Sequence, residues 1–162
     1  MTDISTFIQD FHEAFGEKAT LPILFYYSDT PVSFPEKTNG CMFKLLVKVK
    51  EGQDVTLSAD TVTCGGGKHY AGFAPLPERV YTFVSEKERY KQTPQDVKEY
   101  VERLEVKLTD RKYLNFVRID QAASFDGMEG LLFFAAPDML SGLATWAYFD
   151  NNAEEDSSKG KC

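Results

Sequence analysis

The sequence contains no hydrophobic run long enough to cross a bilayer, which takes about 20 apolar residues in a helix. Its longest apolar run, residues 131–137, fits a buried strand. The first 15 residues, MTDISTFIQDFHEAF, have no basic segment and carry acidic residues among the apolar ones, so they do not fit a secretory signal. We therefore predict a cytoplasmic protein.

Positive charge is scarce. The chain has 18 lysines and arginines against 25 aspartates and glutamates, a net charge of −7. Such a surface repels nucleic acid and anionic lipid unless basic residues are concentrated in a patch. The one basic cluster, Lys44, Lys48 and Lys50, fits a solvated face better than a binding stripe. We therefore predict no nucleic-acid or membrane partner, and the sequence leaves the oligomeric state open.

Cysteine and histidine are also few, with three cysteines and two histidines. No CxxC pair occurs, which argues against a zinc ribbon and a thioredoxin-like motif. Because the number of cysteines is odd and the predicted compartment is reducing, we expect Cys41, Cys64 and Cys162 to be thiols.

The 162 residues and an aromatic content of 14% fit one globular domain with a sizeable core. Helices and strands interleave, which predicts an α+β or α/β fold with a mixed sheet of about four to five strands. We assign the domain to residues 1–150 and a polar, mobile tail to residues 151–162. Residue spacing predicts strands at 21–27, 54–60, 113–119 and 131–136, helices at 4–15, after Thr93 and after Pro137, and a turn at 74–80. Residues 40–52 fit a helix or a strand, and we favour a helix.

The segment TVTCGGGKHYAGF, residues 61–73, has the most unusual composition in the chain. It fails the Walker pattern, because Gly67-Lys68 is followed by histidine, and it lacks the third glycine of a dinucleotide-binding loop. Two readings remain. Gly65, Gly66, Gly67 and Lys68 could bind an anion or cofactor through backbone N–H groups at a helix start. Alternatively, the glycines form a strand-to-helix turn that requires small residues.

Cys64 precedes these glycines, and this position allows two further readings. A thiol at a helix start and near Lys68 and His69 in sequence can have a lowered pKa, which would favour nucleophilic or metal-binding chemistry. Free cysteines are, however, among the most frequently buried residues, so a structural cysteine is the alternative.

Several features together resemble a known family. Cys41 opens an apolar segment, Cys64 is followed by small residues and Ala71-Gly72-Phe73, LLFFAAPDMLSGL runs from a strand into a helix, and Gly160 lies close before Cys162. From about residue 20 to its end, the chain is similar to domain-of-unknown-function family 169, uncharacterised proteins also labelled ArCR. The resemblance implies that family members continue beyond the position of Cys162, so this chain is expected to be truncated. It implies no settled activity, and it directs attention to the three cysteines.

Three functions follow from these residues. In the first, Cys41, Cys64 and Cys162 bind a metal or an iron–sulfur cluster, with His69 or a group from missing sequence as the fourth ligand. In the second, the chain binds a small anionic ligand without catalysis, using an aromatic pocket and the Gly65–Gly67 turn. The walls of that pocket are expected from Phe25, Tyr26, Tyr27, Tyr70 and Phe73. In the third, Cys64 is a catalytic nucleophile and His69 its base. The first is the preferred hypothesis, and whether the protein is an enzyme stays open.

Overall fold

The computed structural model describes residues 3–150. Four strands are present in that range: β1 (Ile23–Ser28), β2 (Val55–Ser58), β3 (Tyr113–Arg118) and β4 (Gly130–Leu132). The α-helices are α1 (Ile4–Phe15), α2 (Leu46–Lys50), α3 (Gly65–Tyr70), α4 (Glu78–Thr82), α5 (Pro94–Arg103) and α6 (Pro137–Asp150). Short 3₁₀ helices occupy Met42–Leu45 and Ile119–Gln121, and a π-helical turn occupies Phe83–Lys87.

The strands form one sheet in the order β2-β3-β1-β4, so the predicted fold class and strand number are confirmed. All three strand pairs are antiparallel, which places the protein in the α+β class. The sheet of the described residues therefore has none of the parallel pairs that a mixed sheet would include. Antiparallel neighbours need no helical crossover between them.

The main core lies between one face of the sheet and the segment from residue 42 to residue 50. Ile23, Val55 and Phe116 on the strands are buried together with Leu46 and Val49 of α2. The helical prediction for residues 40–52 is thus confirmed as a 3₁₀ turn followed by α2. The segment is helical because residues three apart lie on the same face of a helix, and Leu46 and Val49 therefore both pack onto the sheet.

Two helix starts follow from their capping residues. The side chain of Asp3 accepts a hydrogen bond from the Thr6 N–H at 2.8 Å, which satisfies one donor at the start of α1. Thr93 and Asp96 bond reciprocally at the start of α5, with Pro94 in the first turn. This reciprocal arrangement is a capping box, and it confirms the predicted start of that helix.

Two predictions made from the sequence are wrong. Residues 74–80 were expected to form a turn, but α4 begins at Glu78, directly after Pro77, and continues into the π-helical turn. The helical spacing of Met139, Leu143 and Trp146 predicts that Trp146 of α6 faces the core, but 64% of its surface is exposed. The apolar residues of α6 are spread around the whole helix, so contacts on one face cannot bury all of them, and Trp146 is among those left exposed.

No helix within residues 3–150 is long and apolar enough to span a membrane. The predicted tail, residues 151–162, lies outside the described range, as does the possible truncation point. The assignment of residues 1–150 to one domain stays a prediction.

Candidate ligand-binding site

The glycine triplet begins α3, and Cys64 caps that helix. The Sγ of Cys64 accepts a hydrogen bond from the Gly67 N–H at 3.4 Å, so this donor already has a partner. A side chain at Gly65 would meet Cγ of Pro77 at 3.2 Å. Gly65 therefore allows α3 to approach the start of α4 closely, which supports the reading of the triplet as a turn that requires small residues.

The other two glycines have contrasting surroundings. A Cβ atom at Gly67 would lie in ordinary contact with Val62 and the Sδ of Met42, at 3.5 and 3.6 Å. At Gly66 the same atom would meet only the Sγ of Cys64 at 4.0 Å and would otherwise enter open space. Of the four predicted anion ligands, Gly65 and Gly66 line a cavity of about 870 Å³, and Gly67 and Lys68 do not line it.

The predicted metal ligands are not gathered into a site within the described residues. Cys41 and Cys64 are both exposed thiols. No group of three or more histidine, cysteine, aspartate or glutamate side chains in residues 3–150 is arranged to hold a metal ion. Cys162, the third proposed ligand, lies outside that range. The described part of the chain therefore gives the metal hypothesis no support.

His69 is buried on α3 and contributes to local structure. Its Nδ1 lies 3.2 Å from the carbonyl oxygen of Ala74. Because a carbonyl only accepts, Nδ1 is the donor in this bond. Within the described residues Nε2 is buried without a hydrogen-bond partner. The Sγ of Cys64 has the Gly67 N–H as its partner, so no Cys64–His69 hydrogen bond supports the nucleophile–base hypothesis.

A cavity of about 870 Å³ opens between α3 and the unit formed by α4, the π-helical turn and α5, which we call the hairpin wall (residues 78–103). Six apolar side chains of the hairpin wall and its approach line the cavity: Leu76, Val80, Phe83, Val84, Val97 and Val101. Tyr70, Tyr90 and Tyr100 add aromatic surface, and the Cys64 thiol lies at the α3 side. Only Arg79, Glu88 and Lys91 carry charge among the lining residues.

An irregular backbone shapes the hairpin wall. In the π-helical turn the Glu88 N–H donates to the Phe83 carbonyl at 3.1 Å, which is five residues back instead of four. Arg89 then adopts a left-handed conformation (φ +58°), and the Tyr90 N–H returns to the Val84 carbonyl at 3.1 Å. Such turns interrupt the regular side-chain period and are frequent at functional sites. Here they direct Phe83, Val84 and Glu88 into one cavity.

The aromatic pocket expected from the sequence lies elsewhere. Of the five predicted wall residues only Tyr70 lines the cavity. Phe25, Tyr27 and Phe73 pack against the main core instead, where the Tyr27 hydroxyl donates to the Ala71 carbonyl at 2.9 Å. Burial raises the pKa of Tyr27, which keeps its hydroxyl protonated as a donor in this bond.

Sequence reasoning predicted α5 but missed the rest of the hairpin wall, because residues 78–91 show no clear period. The α4 helix has five residues, and the π-helical turn shifts the side chains that follow it out of the 3.6-residue repeat. The usable signals were Pro77-Glu78, a favourable start for a helix, and the buried positions Val97 and Val101 of α5.

A second cavity of about 590 Å³ lies between α1 and α6, where Lys18 and Asp138 are among its lining residues.

Two carboxylates away from the cavity have shifted pKa values of opposite sign. Arg118 contacts Asp120 through two hydrogen bonds of 2.7 and 2.8 Å, and this contact lowers the pKa of Asp120. Burial raises the pKa of Asp54, whose Oδ1 is buried without a hydrogen-bond partner within residues 3–150. Asp120 therefore stabilises the fold in its charged form, whereas Asp54 is penalised for its charge.

Comparison with known proteins gives a family but no activity. No curated protein and no solved structure matches this chain significantly. The model of one protein family, domain of unknown function 169, described as uncharacterised ArCR, matches residues 17–161. Because this match covers most of the chain, the protein belongs to the domain-of-unknown-function family 169.

Proposed function

We propose that this protein binds a small, largely apolar molecule in the cavity between α3 and the hairpin wall. The observation that carries the proposal is the cavity itself. Its volume, about 870 Å³, falls in the range of roughly 300–1,000 Å³ that is usual for small-molecule sites. Most of its lining is aliphatic or aromatic, with three charged residues, and this is also the usual composition of such sites.

The irregular backbone of the hairpin wall supports a binding role. The left-handed residue Arg89 costs on the order of 1 kcal/mol, and residues in such conformations cluster at functional sites. Phe83 and Tyr90 stay largely exposed beside the cavity, at 52% and 74%. A bound apolar molecule would cover part of both rings, and the hydrophobic effect favours that burial.

Binding of an apolar molecule also requires fewer specific side-chain arrangements than metal binding or thiol catalysis does. Metal binding requires a ligand group that residues 3–150 do not provide. Thiol catalysis requires a base in contact with the Cys64 thiol, and the hydrogen-bond partner of this thiol is the Gly67 N–H. Binding of an apolar molecule requires a concave apolar surface, which the hairpin wall and α3 form.

A titration with a neutral fluorescent probe tests this proposal. N-phenylnaphthylamine, which becomes bright in apolar surroundings, is expected to bind the wild-type chain at a single site. Val84→Trp fills part of the cavity and should abolish that site. Val47→Trp is the matched control, because Val47 is a half-exposed helical valine that does not line the cavity. Equal binding by both variants, with unchanged melting temperatures, would contradict the proposal.

Cysteine protection gives a second readout that is independent of fluorescence. Cys64 lines the cavity and Cys41 does not, although both are exposed. A bound probe should therefore slow the alkylation of Cys64 by iodoacetamide and leave the alkylation of Cys41 unchanged, as measured by peptide mass spectrometry. Slowing at neither cysteine would place the probe outside this cavity. Binding of the probe should also persist in Cys64→Ala, because the thiol contributes little of the apolar lining.

A further inference from the structure

The charged residues that line the cavity favour a negatively charged ligand. In the whole chain acidic residues outnumber basic ones, 25 to 18. The lining reverses this balance, with Arg79 and Lys91 against the single carboxylate of Glu88. An apolar cavity has no need of two cations to hold a neutral molecule, since charged side chains are kept at binding sites to fix orientation and specificity.

These three charged side chains do not pair with one another. None of the salt bridges among the described residues involves Arg79, Glu88 or Lys91. Instead, the Lys91 ammonium lies over the ring of Tyr100, 5.0 Å from its centroid. Both residues line the cavity, so the ring holds this positive charge at the cavity wall. The two cations are therefore available to an incoming anion.

The backbone of the hairpin wall places Lys91 at this position. The chain reverses at Arg89, and the Tyr90 N–H bonds back to the Val84 carbonyl at 3.1 Å. The reversal directs the next residue, Lys91, toward Tyr100 of α5. A regular helix continued through residues 88–91 would carry these residues onward along its axis instead of back toward α5. The left-handed conformation of Arg89, although it costs energy, thus places the Lys91 ammonium at the cavity.

We propose that the natural ligand is an apolar organic monoanion, with its charged group between Arg79 and Lys91 and its apolar body along Val80, Val84 and Val101. This inference rests on the proposed binding function and adds the charge and orientation of the ligand. Two cations and one carboxylate give the lining a net charge of +1, which matches a single negative charge. Glu88 disfavours a second negative charge on the ligand, because like charges repel at short range.

A matched pair of probes tests the inference. Anilinonaphthalene sulfonate has the same ring system as N-phenylnaphthylamine and adds one sulfonate. We expect the wild-type chain to bind the anionic probe about tenfold more tightly than the neutral one. Higher salt should weaken binding of the anionic probe alone. Val84→Trp corrects for anionic probe bound at other apolar surfaces, such as the exposed residues of α6.

Substitutions of the lining charges test the assignment to these residues. Arg79→Gln and Lys91→Gln should each weaken binding of the anionic probe, relative to binding of the neutral probe by the same variant, by about threefold to fivefold. Lys91→Arg keeps the charge and should restore binding. Arg103→Gln is the control, because Arg103 bonds to the Glu99 carbonyl within α5 and does not line the cavity. Glu88→Gln should strengthen anion binding.

The outcomes separate this inference from the function on which it rests. Equal affinity for both probes, with no effect of Arg79→Gln or Lys91→Gln beyond that of Arg103→Gln, overturns the monoanion inference and leaves the apolar cavity as the binding site. Failure of both probes to bind overturns the proposed function, and the inference fails with it. A preference for the anionic probe that both glutamine variants remove, and that Lys91→Arg restores, supports the inference.

Discussion

Val49 and Val97 are both buried valines on helices, with 0% and 3% of their surfaces exposed, yet their surroundings differ. Val49 of α2 belongs to the main core, where strand residues such as Val55 and Phe116 surround it. Val97 of α5 lines the cavity between α3 and the hairpin wall, so one side of it faces an open volume. Similar burial therefore accompanies dense packing in one region and incomplete packing in the other.

The comparison separates the parts of the molecule that carry stability from the part that is free to bind. A side chain in a dense core contributes its full burial and its dispersion contacts to folding. A side chain at a cavity leaves some contacts unmade, and a ligand can make them. The hairpin wall thus keeps apolar surface available at some cost in stability, as functional sites commonly do.

The largest effect is expected from truncating the two valines. Val49→Ala should lower the free energy of unfolding by about 2 to 3 kcal/mol, since it loses buried methyl groups and leaves a cavity in a dense core. Val97→Ala should cost only about 1 kcal/mol, because its neighbours on the cavity side are already absent. Urea denaturation measures both values. Equal losses would mean that the hairpin wall is packed as densely as the sheet.

A second comparison concerns two glycines. Gly72→Ala should destabilise the protein by about 1 to 3 kcal/mol, because φ is +72° and the new methyl group would lie 3.1 Å from the Lys107 carbonyl oxygen. Gly66→Ala should stabilise it by about 0.5 to 1 kcal/mol, because alanine favours helices and the methyl group enters open space. Thermal melting of both variants tests the contrast. A loss at Gly66 would show that the α3 side of the cavity is filled.

The smallest effects concern charge and depend on pH. Asp54→Asn should raise the melting temperature at pH 7, because burial has raised the pKa of Asp54 and its charged form is penalised in the folded state. Protonation of Asp54 stabilises the folded state relative to the unfolded state. This contribution is complete below the pKa of Asp54 in the unfolded chain, about 3.8, and is lost as pH rises through the raised pKa of the folded protein. The advantage of the variant should therefore disappear as pH falls to about 3.8.

Asp120→Asn is the control of opposite sign. Its pKa is lowered by Arg118, so the stability it contributes is present above about pH 3.8 and is lost as pH falls through the lowered folded value. The variant should melt below the wild type at pH 7 and approach it in stronger acid. Melting curves between pH 2 and pH 7, a range set by these carboxyl pKa values, distinguish the two aspartates. Parallel curves for both variants would contradict the two pKa assignments.

The densely packed region was largely predictable from the sequence. The spacing of Phe7, Phe11 and Phe15 predicted α1 at its observed bounds, and the apolar segments placed all four strands to within a few residues. The strand at 131–136 begins one residue earlier and ends at Leu132, because only three of its residues pair with β1. These elements were accessible because each buries one regular face, and a regular face leaves a periodic pattern.

The cavity was not predictable in the same way. The glycine segment around Cys64 marked one side of it, through Gly65 and Gly66. The opposite side comes from residues 76–101, where the short α4 and the π-helical turn leave no single period. Phe25 and Tyr27 were expected to form its walls, but strand residues that face a core helix become part of the core. Cavities depend on how elements meet, and local patterns do not record that.

Gly130 illustrates how an absent side chain can set the alignment of a strand. It is paired with Phe25 of β1, and a Cβ atom at Gly130 would lie 2.9 Å from that ring. The ring therefore occupies the space above the glycine. If β4 slid by two residues, Met128 or Leu132 would have to share that space with Phe25. A three-residue strand has few hydrogen bonds to fix its position. The contact between Phe25 and Gly130, the only residue of β4 without a side chain, therefore fixes the register of β4 on β1.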